Sequence, residues 1–133
     1  MKQFDFLREK AKKFYQQALK LFEEKEFDLS VFNLEQSCQL FLKYLIGKKI
    51  GDWPKTHFLY ELMEELIKIY KNEKIEKFYK ENELFFDDLS DAYFTSRYFP
   101  KEFSENLVKN LFNKTKEFYQ LIEEELNEKL NNE

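Results

Sequence analysis

Helix breakers are the scarcest element of this chain. Only two of its 133 residues are glycine and two are proline. Gly47, Gly51 and Pro54 fall inside one short stretch, and Pro100 stands alone. A chain with so few residues suited to tight turns is confined to long helices joined at few points. Everything between the breaks reads with helical period. No segment keeps the alternation of a half-buried strand.

The first stripe is Phe4, Leu7, Ala11, Phe14, Ala18, Leu21 and Phe22, spaced as one face of a helix. Asp28 is the expected N-cap of a second helix over about 29–46, carrying Val31, Leu34, Cys38, Phe41, Leu42 and Leu45. The second half of that helix, Leu40 to Ile46, is apolar on nearly every side. It must be covered all round, either at the centre of the domain or by a partner subunit. Thr56 is the expected cap of a short third helix with Phe58, Leu59, Leu62, Leu66 and Ile69, and Asn72 of the next. A fourth segment over 73–97 has a polar interruption, Lys80 to Glu83, that predicts a kink or break. Pro100 stops it. The last helix starts near 101–104 and runs towards Leu130, with Phe103, Leu107, Leu111, Phe118, Ile122 and Leu126 inward and residues 131–133 fraying. The pattern predicts one all-α domain over 1–133, an antiparallel up-and-down bundle of four long helices plus one short.

Composition removes several function classes. One His and one Cys cannot build a zinc site of several such ligands, nor any disulfide framework. The glycine loops that cradle phosphates and the G-x-S-x-G elbow are both absent. With 22 basic and 26 acidic residues the net charge is −4, which argues against wrapping duplex DNA. A local phosphate site stays open. No apolar run spans a bilayer, and the N-terminus lacks a signal-peptide core, so a cytoplasmic protein without membrane contact is expected. Lys numbers 20 but Arg only two, the bias an AT-rich coding sequence tends to produce. Each Arg therefore stands out.

Four constellations have chemical potential. Glu83, Asp87 and Asp91, with Asp88 beside them, share a helical face as a metal site needs. No His joins them and the Glu-x-x-His pattern of bundle metal sites is missing, so a solvated face is expected, with no metal and no cofactor. His57, at the start of the third helix, lacks a visible orienting partner and reads as a packing or solvent-facing residue. Cys38 lies on the apolar stripe and reads as core. The fourth is the end of the long fourth segment, Asp91 to Pro100. Here Arg97 stands among tyrosines and hydroxyls. Arg forks around phosphate and tyrosines stack on bases; the competing reading has Arg97 complementing its helix C-terminus while Tyr98 closes the core. The residues alone leave those two readings level. Arg8, beside Glu9 and Lys10, reads as surface.

The order of these features resembles the HEPN domain, the "higher eukaryotes and prokaryotes nucleotide-binding" helical bundle. Gln36, Ser37, Leu42 and Lys43 resemble its Gln-[Ala/Ser]-x-x-x-x-Leu-Lys pattern, with Gln39 where a Glu is usual. Thr56, His57, Leu59 and Leu62 resemble its Thr-His-x-Leu-x-x-Leu opening. Arg97-Tyr98-Phe99-Pro100 is similar to its Ser-Arg-Tyr-Pro corner, with one extra residue before the proline. The resemblance implies a homodimer with a cleft lined by that corner. It also implies a minimal nucleotidyltransferase partner, as in toxin–antitoxin pairs, and a nucleotide or RNA phosphate as ligand. Arg97, Tyr98, Tyr93 and Ser96 are the contact residues it suggests. Catalytic members are metal-independent ribonucleases marked by Arg, four to six residues, then His. Counting from Arg97, those positions hold Glu102, Phe103 and Ser104. The missing His implies a non-catalytic binding module. The alternative is a diverged ribonuclease using Arg97 with Glu102 or His57.

Overall fold

A computed structural model describes residues 3–100 and 102–130. The helices are α1 (Asp5–Glu23), α2 (Phe27–Ile50), α3 (Leu59–Tyr70), α4 (Glu73–Glu81), α5 (Glu83–Tyr98) and α6 (Glu105–Leu126). No strand occurs among the described residues. The all-α expectation holds, but the long helices α1, α2, α5 and α6 are accompanied by two short ones rather than one. The cause is Asn82. Its backbone (φ −130°, ψ 27°) leaves helical space, and its side-chain amide donates to the Phe78 carbonyl at 2.8 Å. Its own carbonyl then accepts from the Phe85 N–H at 3.0 Å, so one residue ends α4 and starts α5.

α1 and α2 form the most extensive helix pair. Two of the chain's few alanines, Ala11 and Ala18, are fully buried on α1, and small side chains there let the backbones approach. Ser30 Oγ donates to the Ala18 carbonyl at 2.8 Å across that contact. At the opposite end Phe4 packs on Gly47, so the two helices run antiparallel. Gly47 is not the break its residue type suggests. It lies inside α2, where the Phe4 ring comes within 3.2 Å of the point a Cβ would occupy. The helix ends instead at Gly51, whose φ of 84° is left-handed and suits glycine.

α2 is the central helix. Val31, Leu34, Cys38, Phe41, Leu42, Leu45 and Ile46 have no exposed surface, and α1, α3, α5 and α6 of the same chain all pack on it. Its greasy half is therefore covered from within. Residue pairs along the contacts give directions. Ser37 meets Tyr119 and Tyr44 meets Glu128, so α6 runs with α2. Phe86 meets Phe118 while Ala92 and Thr95 share a recess with Leu107 and Phe103, so α5 runs against α6. The long helices thus alternate up and down. α3 does not follow that alternation. His57, just before it, lies by Tyr93 at the Phe32 end of α2, and Tyr70 at its end donates to the Leu45 carbonyl at 2.6 Å.

Caps and inward positions shift by small amounts. α2 begins at Phe27, so Asp28 is not its N-cap. It lies in the first turn, where its carboxylate accepts from the Leu29 N–H at 2.8 Å and its charge favours the helix end. Phe58 rather than Thr56 is the N-cap of α3. Thr56 Oγ1 still accepts from the Phe58 N–H at 3.1 Å and bonds the Glu61 carboxylate. Asn72 caps α4 as expected, accepting from the Ile75 N–H at 3.0 Å. Ser104 does the same for α6 through the Leu107 N–H at 3.1 Å. Leu107 itself is 37% exposed. The inward phase of α6 is Val108, Leu111, Phe112, Thr115, Phe118 and Ile122. The fraying expected at residues 131–133 lies outside the described residues. Among the described residues no helix is long and apolar enough to cross a membrane.

Candidate functional site

The last two turns of α5 carry the corner. Tyr93 is nearly buried and stacks on Phe32 of α2, with centroids 5.5 Å apart and rings 15° from parallel. That stack fixes the ring, leaving the hydroxyl to accept a hydrogen bond from Arg97 Nη1 one turn later. The guanidinium lies over three rings, 5.0 Å from the centroid of Tyr98, 5.2 Å from Tyr93 and 5.9 Å from Phe32. Among the described residues Arg97 makes no ion pair, and it faces solvent. Phe99 then turns extended (φ −132°, ψ 142°) ahead of Pro100, which ends the helix. The result is a cation clamped by aromatics with open donors at a helix end.

The expected residues divide. Arg97, Tyr93 and Tyr98 form one cluster. His57 joins it from the connector before α3, its ring 6.1 Å from Tyr93, 5.6 Å from Phe94 and 4.8 Å from Phe58. It precedes the helix rather than lying in its first turn, and it is exposed. Ser96 is not brought in, because its hydroxyl donates to the Tyr93 carbonyl within its own helix at 3.1 Å. Glu102 is exposed and lines another recess, with Lys25, Phe27 and Asp28. Glu83, Asp87, Asp88 and Asp91 are all exposed, and no group of His, Cys, Asp and Glu suited to a metal converges among the described residues. Cys38 is fully buried, and burial pushes its thiol far up, which keeps it protonated.

Two features were not legible beforehand. Phe32 supplies the stacking floor, although it falls off the stripe that marks the α2 core. Starting one turn along α2 from Phe32 is a polar ladder. Glu35 has no exposed surface, and its carboxylate accepts from Gln36 Nε2 at 3.0 Å and Gln39 Nε2 at 3.1 Å. Gln39 in turn accepts from Lys43 Nζ at 3.2 Å. Burial pushes the Glu35 carboxyl up to about 7, against the pull of the two amides and the charges of Lys43 and Arg97. An acid beside the apolar stripe, next to Leu34, was the available signal.

Arg8 corrects the surface reading. Its side chain is only 12% exposed. Nη1 donates to Tyr44 Oη at 3.2 Å, and that hydroxyl donates to the Glu128 carboxylate at 3.0 Å. Glu128 also pairs with Lys48 and lies 4.0 Å from Arg8 Nη1. The guanidinium covers the Tyr44 ring at 5.0 Å. This knot ties α1, α2 and the segment after α6 together.

Comparison with known proteins adds one finding. The family model described as the HEPN domain matches residues 4–126. No curated protein and no solved structure matches the chain.

Proposed function

The chain belongs to the HEPN domain family, and from that premise we propose that it is a homodimeric binding module whose Arg97 corner engages a nucleotide or RNA phosphate. A minimal nucleotidyltransferase, in a toxin–antitoxin-type system, is its protein partner in this reading. The carrying observation is the guanidinium of Arg97, exposed, held by the Tyr93 hydroxyl and stacked by Tyr98, with no carboxylate paired to it among the described residues. An Arg so placed keeps its fork free for phosphate oxygens, and Tyr98, 61% exposed, offers a face for a base. Exposed Phe58, Tyr60 and Phe99 continue the apolar rim, and a second copy would cover that kind of surface.

Titration with mono-, di- and triphosphate nucleotides and with short single-stranded RNA, followed by thermal shift, tests the proposal. Stabilisation that disappears in Arg97→Ala supports it. No ligand-dependent change in the intact protein, or an equal change in the variant, sinks it. A monomer in sedimentation at micromolar concentration removes the dimer.

One observation favours the ribonuclease reading. His57 lies against Tyr93, the residue that holds Arg97, so a base and a phosphate-binding Arg share one corner. RNA cleavage lost in both Arg97→Ala and His57→Ala would establish it over the binding-only reading.

A further inference from the structure

The central helix α2 is open to water along one line only. Between Ser30 and Gly47, Phe32, Asn33, Gln36, Leu40 and Lys43 are the residues that are not buried. Positions so spaced share a single strip of the helix surface, about 100° wide. Phe32 lies at one edge of it and Asn33 at the other. At the Phe32 edge stands α5, whose Arg97 guanidinium lies 5.9 Å from the ring centroid. At the Asn33 edge stands α1, where Lys10, Lys13, Phe14 and Gln17 join Asn33 around a recess of about 410 Å³. No carboxylate lines that recess. Lys10 and Lys13 are exposed, and among the described residues neither makes an ion pair. Lys43 lies at the far end, where the Phe4 ring packed on Gly47 closes the strip. In a chain of net charge −4, this strip has cations on both walls and no acid on its floor.

We propose that the strip is a groove for single-stranded RNA, in which Arg97 holds one phosphate and Lys10 and Lys13 hold others along the same strand. This rests on the reading of Arg97 as a phosphate contact and deepens it, because the ligand becomes an oligonucleotide rather than a mononucleotide. Three observations select that occupant. The cations flank a helix with side chains roughly 10–12 Å across, so one phosphate cannot satisfy both walls and a strand can. Aromatic faces accompany the cations at both edges, Phe14 in the recess and Tyr98, 61% exposed, beside Arg97. Unpaired bases stack on such faces, while a duplex keeps its bases inside and an acidic peptide leaves the faces unused. The polar groups on the floor are amides. Asn33 Nδ2 donates to the Leu29 carbonyl at 2.7 Å and Gln36 Nε2 to Glu35 at 3.0 Å, which leaves both amide oxygens as acceptors. An amide oxygen takes the proton of a ribose 2′-hydroxyl and offers nothing to a phosphate.

Fluorescence anisotropy over a series of salt concentrations tests the groove, with an oligouridylate of about eight nucleotides as probe and uridine 5′-monophosphate as competitor. The intact protein should prefer the oligonucleotide at least about tenfold. Each phosphate contact to a single strand adds about 0.7 to the log–log salt slope. The double variant Lys10→Gln, Lys13→Gln should therefore lose about 1.4 of that slope while binding uridine monophosphate as before. Phe14→Leu should weaken the oligonucleotide about fivefold and leave the slope unchanged. An unchanged slope in the double variant, or equal affinity for the two ligands, overturns the groove. The Arg97 corner is judged apart from it, by whether Arg97→Ala loses uridine monophosphate. A deoxyuridylate of the same length that binds as tightly overturns the selection of RNA. Polyglutamate of equal charge that binds as tightly overturns nucleic acid as the occupant and gives the groove to an acidic protein segment. Failure of the intact protein to bind either uridine ligand removes the groove and the Arg97 reading together.

Discussion

The chain's two arginines lie in settings that look alike and differ in one respect. Arg8 and Arg97 each donate to a tyrosine hydroxyl and each cover that tyrosine's ring. At Arg8 the hydroxyl passes on to Glu128, a carboxylate that also holds Lys48, Asp5 lies 3.9 Å from Nη2, and the Arg8 and Glu128 side chains are only 12% exposed. At Arg97 the chain stops at Tyr93. No carboxylate closes the circuit among the described residues, and the guanidinium faces solvent. The first arrangement turns its guanidinium towards the protein's own groups, with Nε buried and without a hydrogen-bond partner among the described residues, and serves the fold. The second leaves an ordered cation for something else to complete. In a chain that uses Lys almost everywhere, both Arg positions exploit the planar fork and its affinity for aromatic faces.

Glu128→Ala should produce the largest effect on that contrast. It takes the acceptor from Tyr44 and the partner from Lys48, leaves the largely buried Arg8 guanidinium with only the part-exposed Asp5 at 3.9 Å, and should destabilise the fold by about 2 kcal/mol, read as a lower urea midpoint. A cost below about 0.5 kcal/mol would put Arg8 back among surface residues.

Next in size is the pH dependence of stability at Glu35. Its folded carboxyl titrates near 7 against an ordinary value of 4.5, so the folded state holds the proton more tightly than the unfolded one. The stability of the neutral form is fully present below about pH 4.5 and is lost as pH rises through about 7. Unfolding midpoints should fall over that window by an amount on the order of 2 kcal/mol, and Glu35→Gln should flatten the fall. Arg97→Ala should leave stability within about 0.5 kcal/mol while weakening phosphate binding about tenfold. Smaller still, Arg97→Lys keeps the charge but loses the fork and the stacking, so binding should weaken severalfold, on the order of three. Lysine binding as well as arginine would show that charge alone is read.

The helical class, the break before α5, the cap at Asn72 and the start of the last helix near residue 104 were legible, because apolar spacing and capping side chains act over single turns. Helix ends were less so. In this glycine-poor chain the left-handed residues are mostly Lys25, Lys71 and Asn127 (φ 63°, 52° and 56°) rather than glycine, and the glycine inside α2 is there for the Phe4 ring. Arg97 stood out by its rarity, and Tyr93 and Tyr98 by standing near it. Phe32 was invisible as a partner because only the α2–α5 packing brings it against Tyr93 and Arg97. Arg8 was misread for the same reason. Asp5, three positions back, lies 3.9 Å from Nη2, but Glu128 is 120 positions away and no local pattern points to it.

Direct comparison of the two arginines in one binding measurement tests the central claim. Single-stranded RNA is titrated at fixed salt and about pH 6 against the intact protein, Arg97→Ala and Arg8→Ala, each checked for folding by circular dichroism. Loss of binding in Arg97→Ala, with binding kept by whatever fraction of Arg8→Ala remains folded, is the predicted result. Equal binding by Arg97→Ala and the intact protein would contradict it.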